Sequence, residues 1–253
     1  MQLFNDDCLN VLKTIDPESI DCVITDCPYH IVSGGCSNDA VKIGRTPSGI
    51  FNRQFDKGSN EEIIYTRQGK LFKHNDIEFS EWLPEVYRIL KPDTHCYIMI
   101  NPRNLKELQE VAEKSGFLFQ QLIVWDKGNT TPNKFYMNAY ELILMLRKGR
   151  ARNINNMGTK NILKVPNITR IKKHPTEKPA ELMQILVENS TDPGNIVLDP
   201  FMGAGGVGAA CKNSGREFIG IEIDHKYFQI AEDRLSGKAE NETQMTIYDF
   251  IGG

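Results

Sequence analysis

Residues 197–208 read Val197-Leu198-Asp199-Pro200-Phe201-Met202-Gly203-Ala204-Gly205-Gly206-Val207-Gly208: an apolar run ending in an acid, a glycine-rich turn, then a helical stretch. A second apolar run, Phe218-Ile219-Gly220-Ile221-Glu222, follows and also ends in a carboxylate. Glycines let the main chain take positive φ and approach a ligand closely, and the helix that follows aims its amides at the turn. The same alternation fills the chain. Strand-length apolar runs at 2–4, 20–25, 96–100, 118–125, 140–146, 196–199 and 218–222 alternate with amphipathic stretches at 7–12, 79–90, 105–114, 179–189, 207–213 and 225–235. That pattern predicts an α/β fold, a mostly parallel sheet covered on both faces. The runs at 118–125 and 140–146 have only a polar loop between them, so they should pair antiparallel at one sheet edge.

A chain of 253 residues, 40% hydrophobic, can bury a sizeable core, and a single domain over 1–253 is expected. Residues 33–75, rich in Gly, Ser, Asn and basic side chains with little periodicity, read as an insertion. No run approaches the roughly 18 apolar residues of a membrane span, and the first residues have neither the basic start nor the apolar core of a secretory signal. A cytoplasmic protein with no membrane partner is therefore expected. Six scattered cysteines without C-x-x-C pairs look like reduced thiols, so neither a metal site nor a disulfide frame is expected.

The glycine turn carries chemistry in its acid. Gly203 to Gly208 fits G-x-G-x-x-G, but Asp199 stands in front of it. A pyrophosphate wants amides alone, whereas a carboxylate favours a cationic ligand end such as that of S-adenosylmethionine, with its ammonium, sulfonium and no phosphate. Glu222 then stands where an acid binds ribose hydroxyls in dinucleotide-type folds. A tight turn with no ligand is the bland alternative. A second stretch, Thr25-Asp26-Cys27-Pro28-Tyr29, ends another buried strand in an acid, a thiol, a rigid imino acid and an aromatic ring.

Asp26-Cys27-Pro28-Tyr29 resembles the D-P-P-Y catalytic motif of amino-group DNA methyltransferases, and the run from Val197 to Gly205 resembles their cofactor motif. His174-Pro175-Thr176-Glu177-Lys178-Pro179 resembles the H-P-T-x-K-P segment of the β class, in which the catalytic motif comes first. Phe218 to Asp224 resembles the ribose-binding strand. The resemblance runs from about Leu3 to Leu235, thinning at 33–75 and 149–172. It implies a Rossmann-like S-adenosylmethionine-dependent methyltransferase fold in permuted motif order, a mostly parallel seven-stranded sheet with an antiparallel edge strand. S-adenosyl-L-methionine would be the cofactor and S-adenosyl-L-homocysteine the product. Asp199 and Gly203 to Gly205 would meet the methionine end, Phe201 the adenine, Glu222 the ribose and Asp7 the adenine amine; Pro200 would also be cofactor-binding, and Thr176 and Lys178 would lie near the cofactor. Alternatives stay open: Asp7 as a helix cap, Phe201 as plain core, Lys178 as the start of a helix.

The residue types fit the chemistry. An exocyclic amine has its lone pair delocalised into the ring and is a poor nucleophile until made more tetrahedral. The Asp26 carboxylate and the Cys27 carbonyl, which Pro28 keeps extended, could hold both amine hydrogens, while Tyr29 stacks on the base. A base flipped out of the duplex recovers roughly 1 to 3 kcal/mol on an aromatic face. Cys27 stands where the family usually has proline; it precedes Pro28 and sits beside an acid, unlike the nucleophile that methylates cytosine carbon. Asp at the first motif position goes mostly with adenine N6, and Ser with cytosine N4, so a site-specific DNA adenine methyltransferase is the favoured reading.

Net charge of −3 and a pI near 6.0 argue against a globally basic nucleic-acid coat. Local fields differ. Residues 147–173 hold no acid but carry Arg147, Lys148, Arg150, Arg152, Lys160, Lys164, Arg170, Lys172 and Lys173. This short segment, where β-class enzymes place target recognition, could grip the phosphates of double-stranded DNA, or be a solvated loop. The insertion could share the work, and the β-class resemblance makes a homodimer plausible; a restriction partner is not legible. Rival readings are the same fold acting on cytosine N4, an RNA adenine or a protein glutamine, a catalytically idle DNA-binding regulatory module, and a nicotinamide dehydrogenase.

Overall fold

The computed structural model describes residues 1–28, 77–131, 136–167 and 178–237. The chain divides into two compact units, 1–27 with 77–253, and 28–76. The second unit, with the expected insertion at 33–75, falls outside the described residues apart from Pro28, and the first is the subject below.

The amphipathic periods place their elements as the sequence suggested. In chain order these are β1 (Gln2–Phe4), α1 (Cys8–Leu12), β2 (Ile20–Thr25), α2 (Phe79–Ile89), β3 (Leu90–Ile100), α3 (Leu105–Lys114), β4 (Leu118–Thr131) and β5 (Asn138–Lys148). Then come β6 (Ile162–Lys164), α4 (Ala180–Ser190), β7 (Ile196–Asp199), α5 (Gly206–Ser214), β8 (Glu217–Ile221) and α6 (His225–Ser236). The sheet order is β1-β8-β7-β2-β3-β5-β4-β6. β5 runs antiparallel to β3 and to β4, and every other pairing is parallel.

Among the described residues the sheet thus has eight strands where seven were expected. The additional one, β6, is a three-residue strand inside the basic segment and lies parallel to β4. Its length gives no readable period. It is held by Leu163, buried in the core, and by the Trp125 indole N–H, which donates to the Val165 carbonyl at 2.7 Å. The antiparallel β4–β5 pair is therefore one strand in from the edge.

Side chains alternate across the strands, so the sheet is a middle layer. On one face Cys22, Ile24, Tyr97, Met99, Ile143 and Met145 pack with Leu182 and Leu186 of α4, Ala210 of α5 and Ala231 of α6. The alternate residues Val23, Cys96, Ile98, Leu142 and Leu144, equally buried, face the other side, covered by the apolar stripe Trp82, Leu83, Val86 and Ile89 of α2 and by α3. The five described cysteines are buried free thiols. No helix among the described residues is long and apolar enough to cross a membrane.

Gly220 shows how tightly β8 supports the loop after β7. A Cβ there would stand 2.4 Å from the Met202 sulfur and 2.5 Å from the Phe218 ring. Met202 is itself tied down, its amide donating to the Ile221 carbonyl at 2.9 Å. Gly220→Ala should therefore push Met202 and the glycine turn outward and cost about 1 to 2 kcal/mol of stability, read by denaturant unfolding; an unchanged midpoint would refute this tight contact.

Candidate active site

In open α/β sheets a ligand crevice forms beyond the carboxyl ends of the strands, where the chain order reverses. Here that point lies between β2 and β7, whose ends carry Asp26 and Asp199. The two strands are in register, Cys22 beside Val197 and Val23 beside Leu198, so the two acids reach the same edge. Thr25 couples them: its hydroxyl donates to Asp199 Oδ1 at 2.7 Å, an oxygen that also accepts the Phe201 amide at 3.1 Å.

The glycine turn is shaped for close approach. Gly203 and Gly205 take left-handed φ of 51° and 74°, which side-chain-bearing residues rarely adopt. Glu222, just beyond β8, accepts the Gly203 amide at 2.9 Å and the Asp224 amide at 2.9 Å, fixing its carboxylate beside the turn. Phe201 sets its ring edge-on to Trp82, centroids 5.2 Å apart, and Pro200 is buried behind it. Asp7 follows β1, the neighbour of β8, at the same sheet edge; its Oδ1 accepts the Leu9 amide, so the capping role is realised. With the carboxylates of Asp199 and Glu222 at the carboxyl ends of β7 and β8, a pyrophosphate would be repelled and a cationic nucleoside suits them. Burial pushes the Asp199 carboxyl up to about 7, with the nearby Asp26 and Glu222 charges adding and the Thr25 and Phe201 hydrogen bonds opposing.

Lys178 reaches the acid at the end of β2. Its ammonium lies 2.8 Å from Asp26 Oδ2 and 3.1 Å from Glu141 Oε2, and Lys127 lies 3.4 Å from Glu141 Oε1. Asp26, Lys178, Glu141 and Lys127 therefore form a chain of alternating sign across the ends of β2, β5 and β4 and the start of α4. Burial raises the Asp26 carboxyl above the ordinary range, Lys178 pulls against that and Glu141 adds to it. For Glu141, burial works upward, yet Lys178 and Lys127 outweigh it and hold the group low. Sequence reasoning missed Glu141 and Lys127. The available signal was a lone acid heading the apolar run Leu142 to Leu146.

Cys27 is buried, and burial followed by the Asp26 charge pushes its thiol well above the usual range, so it is no thiolate nucleophile. Pro28 is half-buried, while Tyr29 and Thr176 lie outside the described residues.

The basic segment separates into two halves. Because β5 is antiparallel to β3, with Lys148 opposite Thr94 and Leu142 opposite Ile100, residues 147–152 sit at the sheet edge remote from Asp26. The expectation that Arg147, Lys148, Arg150 and Arg152 grip DNA at the site meets that geometry and their existing partners. Lys148 is buried, donating to the carbonyls of Leu90 at 2.7 Å and Tyr87 at 3.0 Å where α2 ends. Arg147 donates to the Gly149 carbonyl, Arg150 makes a paired contact with Asp93, and Arg152 reaches Asp192. Lys160 and Lys164 are exposed, and Lys164, opposite Asp126 in the β4–β6 register, is on the Asp26 side of the sheet. Arg170, Lys172 and Lys173 lie outside the described residues.

Comparison with known proteins agrees with this geometry. The profile of the N6/N4 family described as DNA methylase matches residues 20–233. The chain is 32% identical to the Type II methyltransferase M2.DpnII of Streptococcus pneumoniae, over 96% of this chain and 91% of that protein. It is 27% identical to the Type II methyltransferase M2.LlaDCHI of Lactococcus lactis subsp. cremoris, over 92% of this chain and 88% of that one. Among solved structures, the M1.HpyAVI–SAM complex superposes with a TM-score of 0.64 at 27% identity, covering 92% of this chain and 99% of that one.

Proposed function

Since the chain belongs to the N6/N4 DNA methylase family, with S-adenosylmethionine as its cofactor, we propose that it methylates N6 of an adenine flipped out of duplex DNA. The observation that carries the reading is the Asp26 carboxylate, set at the end of β2 beside the Asp199 turn and anchored by Lys178 at 2.8 Å. The bound cofactor supplies an electrophilic methyl on a sulfonium. The protein's part is positioning and charge: Asp26 and the Cys27 carbonyl accept the two amine hydrogens, which turns the nitrogen lone pair out of the ring, and Asp26 stabilises the positive charge that develops there. Asp199 and Glu222 hold the cationic and hydroxyl-bearing ends of the cofactor. No covalent enzyme intermediate is needed.

DNA is expected across the carboxyl edge of the sheet. Lys164 supports this, and so do Tyr136, 93% exposed, and Met137 in the β4–β5 hairpin, which projects from that same edge. The deciding experiment incubates the protein with labelled S-adenosylmethionine and duplex DNA, RNA or protein, then digests to nucleosides. Label in N6-methyladenine is expected; label only in N4-methylcytosine, RNA or protein would overturn the adenine-DNA reading.

The raised Asp199 carboxyl gives a pH signature. With its pKa raised to about 7, Asp199 should carry a proton near pH 6 before the cofactor binds, and a cationic ligand end favours the ionised form. Binding should therefore release a proton, and cofactor affinity should rise from pH 6 to 8 and level off above the pKa of about 7. Calorimetry in buffers of different ionisation enthalpy reads both effects; affinity that falls with pH would contradict the assigned contact.

A further inference from the structure

We infer that Glu141, tethered by Lys127, is a positioning residue that shares the Lys178 ammonium with Asp26, so that the Asp26 carboxylate stays anchored without being fully neutralised. The inference rests on the reading in which Asp26 accepts the amine of the target base. Lys178 lies almost midway, 2.8 Å from Asp26 Oδ2 and 3.1 Å from Glu141 Oε2. The Lys178 and Lys127 side chains are only 13% and 12% exposed, so water screens these charges weakly.

Two opposing demands meet at Asp26. It must be ionised to accept amine hydrogens and to stabilise positive charge on the nitrogen, and in a buried setting that requires a nearby cation. A cation committed wholly to Asp26 would, however, cancel the negative charge that the reaction draws on and compete with the amine for its oxygens. Glu141 resolves this by holding Lys178 from the other side, and Lys127 keeps Glu141 in place at 3.4 Å. The scaffold is rigid where it matters: Glu141 is opposite Trp125 on β4, two residues before Lys127, and Trp125 is locked by its bond to Val165.

The test is the pH dependence of kcat in the whole protein, because Lys178 and Glu141 should act on Asp26 in opposite directions. Glu141→Gln removes a negative charge that opposes Asp26 ionisation, so the acid limb should move to lower pH. Its plateau should fall about 10- to 100-fold as Lys178 collapses onto Asp26, with KM for cofactor and DNA within a few-fold of wild type. Lys178→Met should move the limb to higher pH. Glu141→Asp, which keeps the charge, should return the limb towards its wild-type position, and Lys127→Met, which unshields Glu141, should move it upward. A merely structural Glu141 would give limbs shifted in the same direction, or losses following thermal stability alone. Either result, or a Glu141→Gln profile matching wild type, overturns the inference. Should Glu141→Gln not fold, the Lys127→Met and Glu141→Asp profiles decide by the same signs. Failure of the parent reading looks different: methyl transfer unaffected by loss of Asp26, or none in the wild type.

Discussion

Replacing Asp26 with Ala is expected to lower methyl transfer by about three orders of magnitude or more, while cofactor and DNA binding stay within a few-fold of wild type. In the proposed role the carboxylate both accepts from the amine and bears the charge developing on it, and Lys178 fixes its direction at 2.8 Å. Single-turnover transfer from labelled cofactor to DNA measures the loss, and filter binding measures DNA affinity. Transfer unchanged by the substitution would end the assigned role. Stability should not follow activity. The Asp26 carboxyl is raised in the folded state, chiefly by burial, so its ionisation opposes folding at pH above its folded pKa, and that penalty fades as pH falls towards the unfolded value. Asp26→Asn should therefore unfold at pH 8 no more easily than the wild type, and a clear drop in thermal midpoint would contradict that sign.

Lys148→Met should do the reverse, leaving DNA affinity and transfer per folded molecule unchanged while costing the fold about 3 kcal/mol. The Lys148 ammonium closes the carboxyl end of α2 through the carbonyls of Leu90 and Tyr87, approaches Glu18 at 3.4 Å and lies over the Tyr87 ring at 4.8 Å. Methionine keeps the apolar stem but leaves those carbonyls buried without a donor. For a chain of this size the loss corresponds to a thermal midpoint lower by roughly 6 to 12 °C. If instead DNA binding weakened at unchanged stability, Lys148 would be a phosphate contact and not the group that closes α2.

Lys148 and Lys164 illustrate where sequence reading stops. Both stand in one acid-free run and look alike as charges. The antiparallel register of β3 and β5 sends Lys148 to the remote edge, and the parallel addition of β6 brings Lys164 back to the edge that holds Asp26. Lys178 tells the same story: its motif points to the neighbourhood of the cofactor, but its partners, Asp26 and Glu141, are more than thirty residues away along the chain. Glu141 and Lys127 carry no motif, so the ionic chain through them emerges only once β4, β5 and α4 are packed together.

Local pattern alone determined the alternation of strands and helices, the acid-first glycine turn and the pairing of an acid with a rigid backbone after β2. Those depend on side-chain period, glycine φ freedom and proline geometry, which act within a few residues. Tertiary structure alone decided which charges face the crevice, which ones are spent on closing a helix end, and how Asp26 shares its cation. Coulomb interactions and desolvation depend on distance in space, and only strand order and register set that distance.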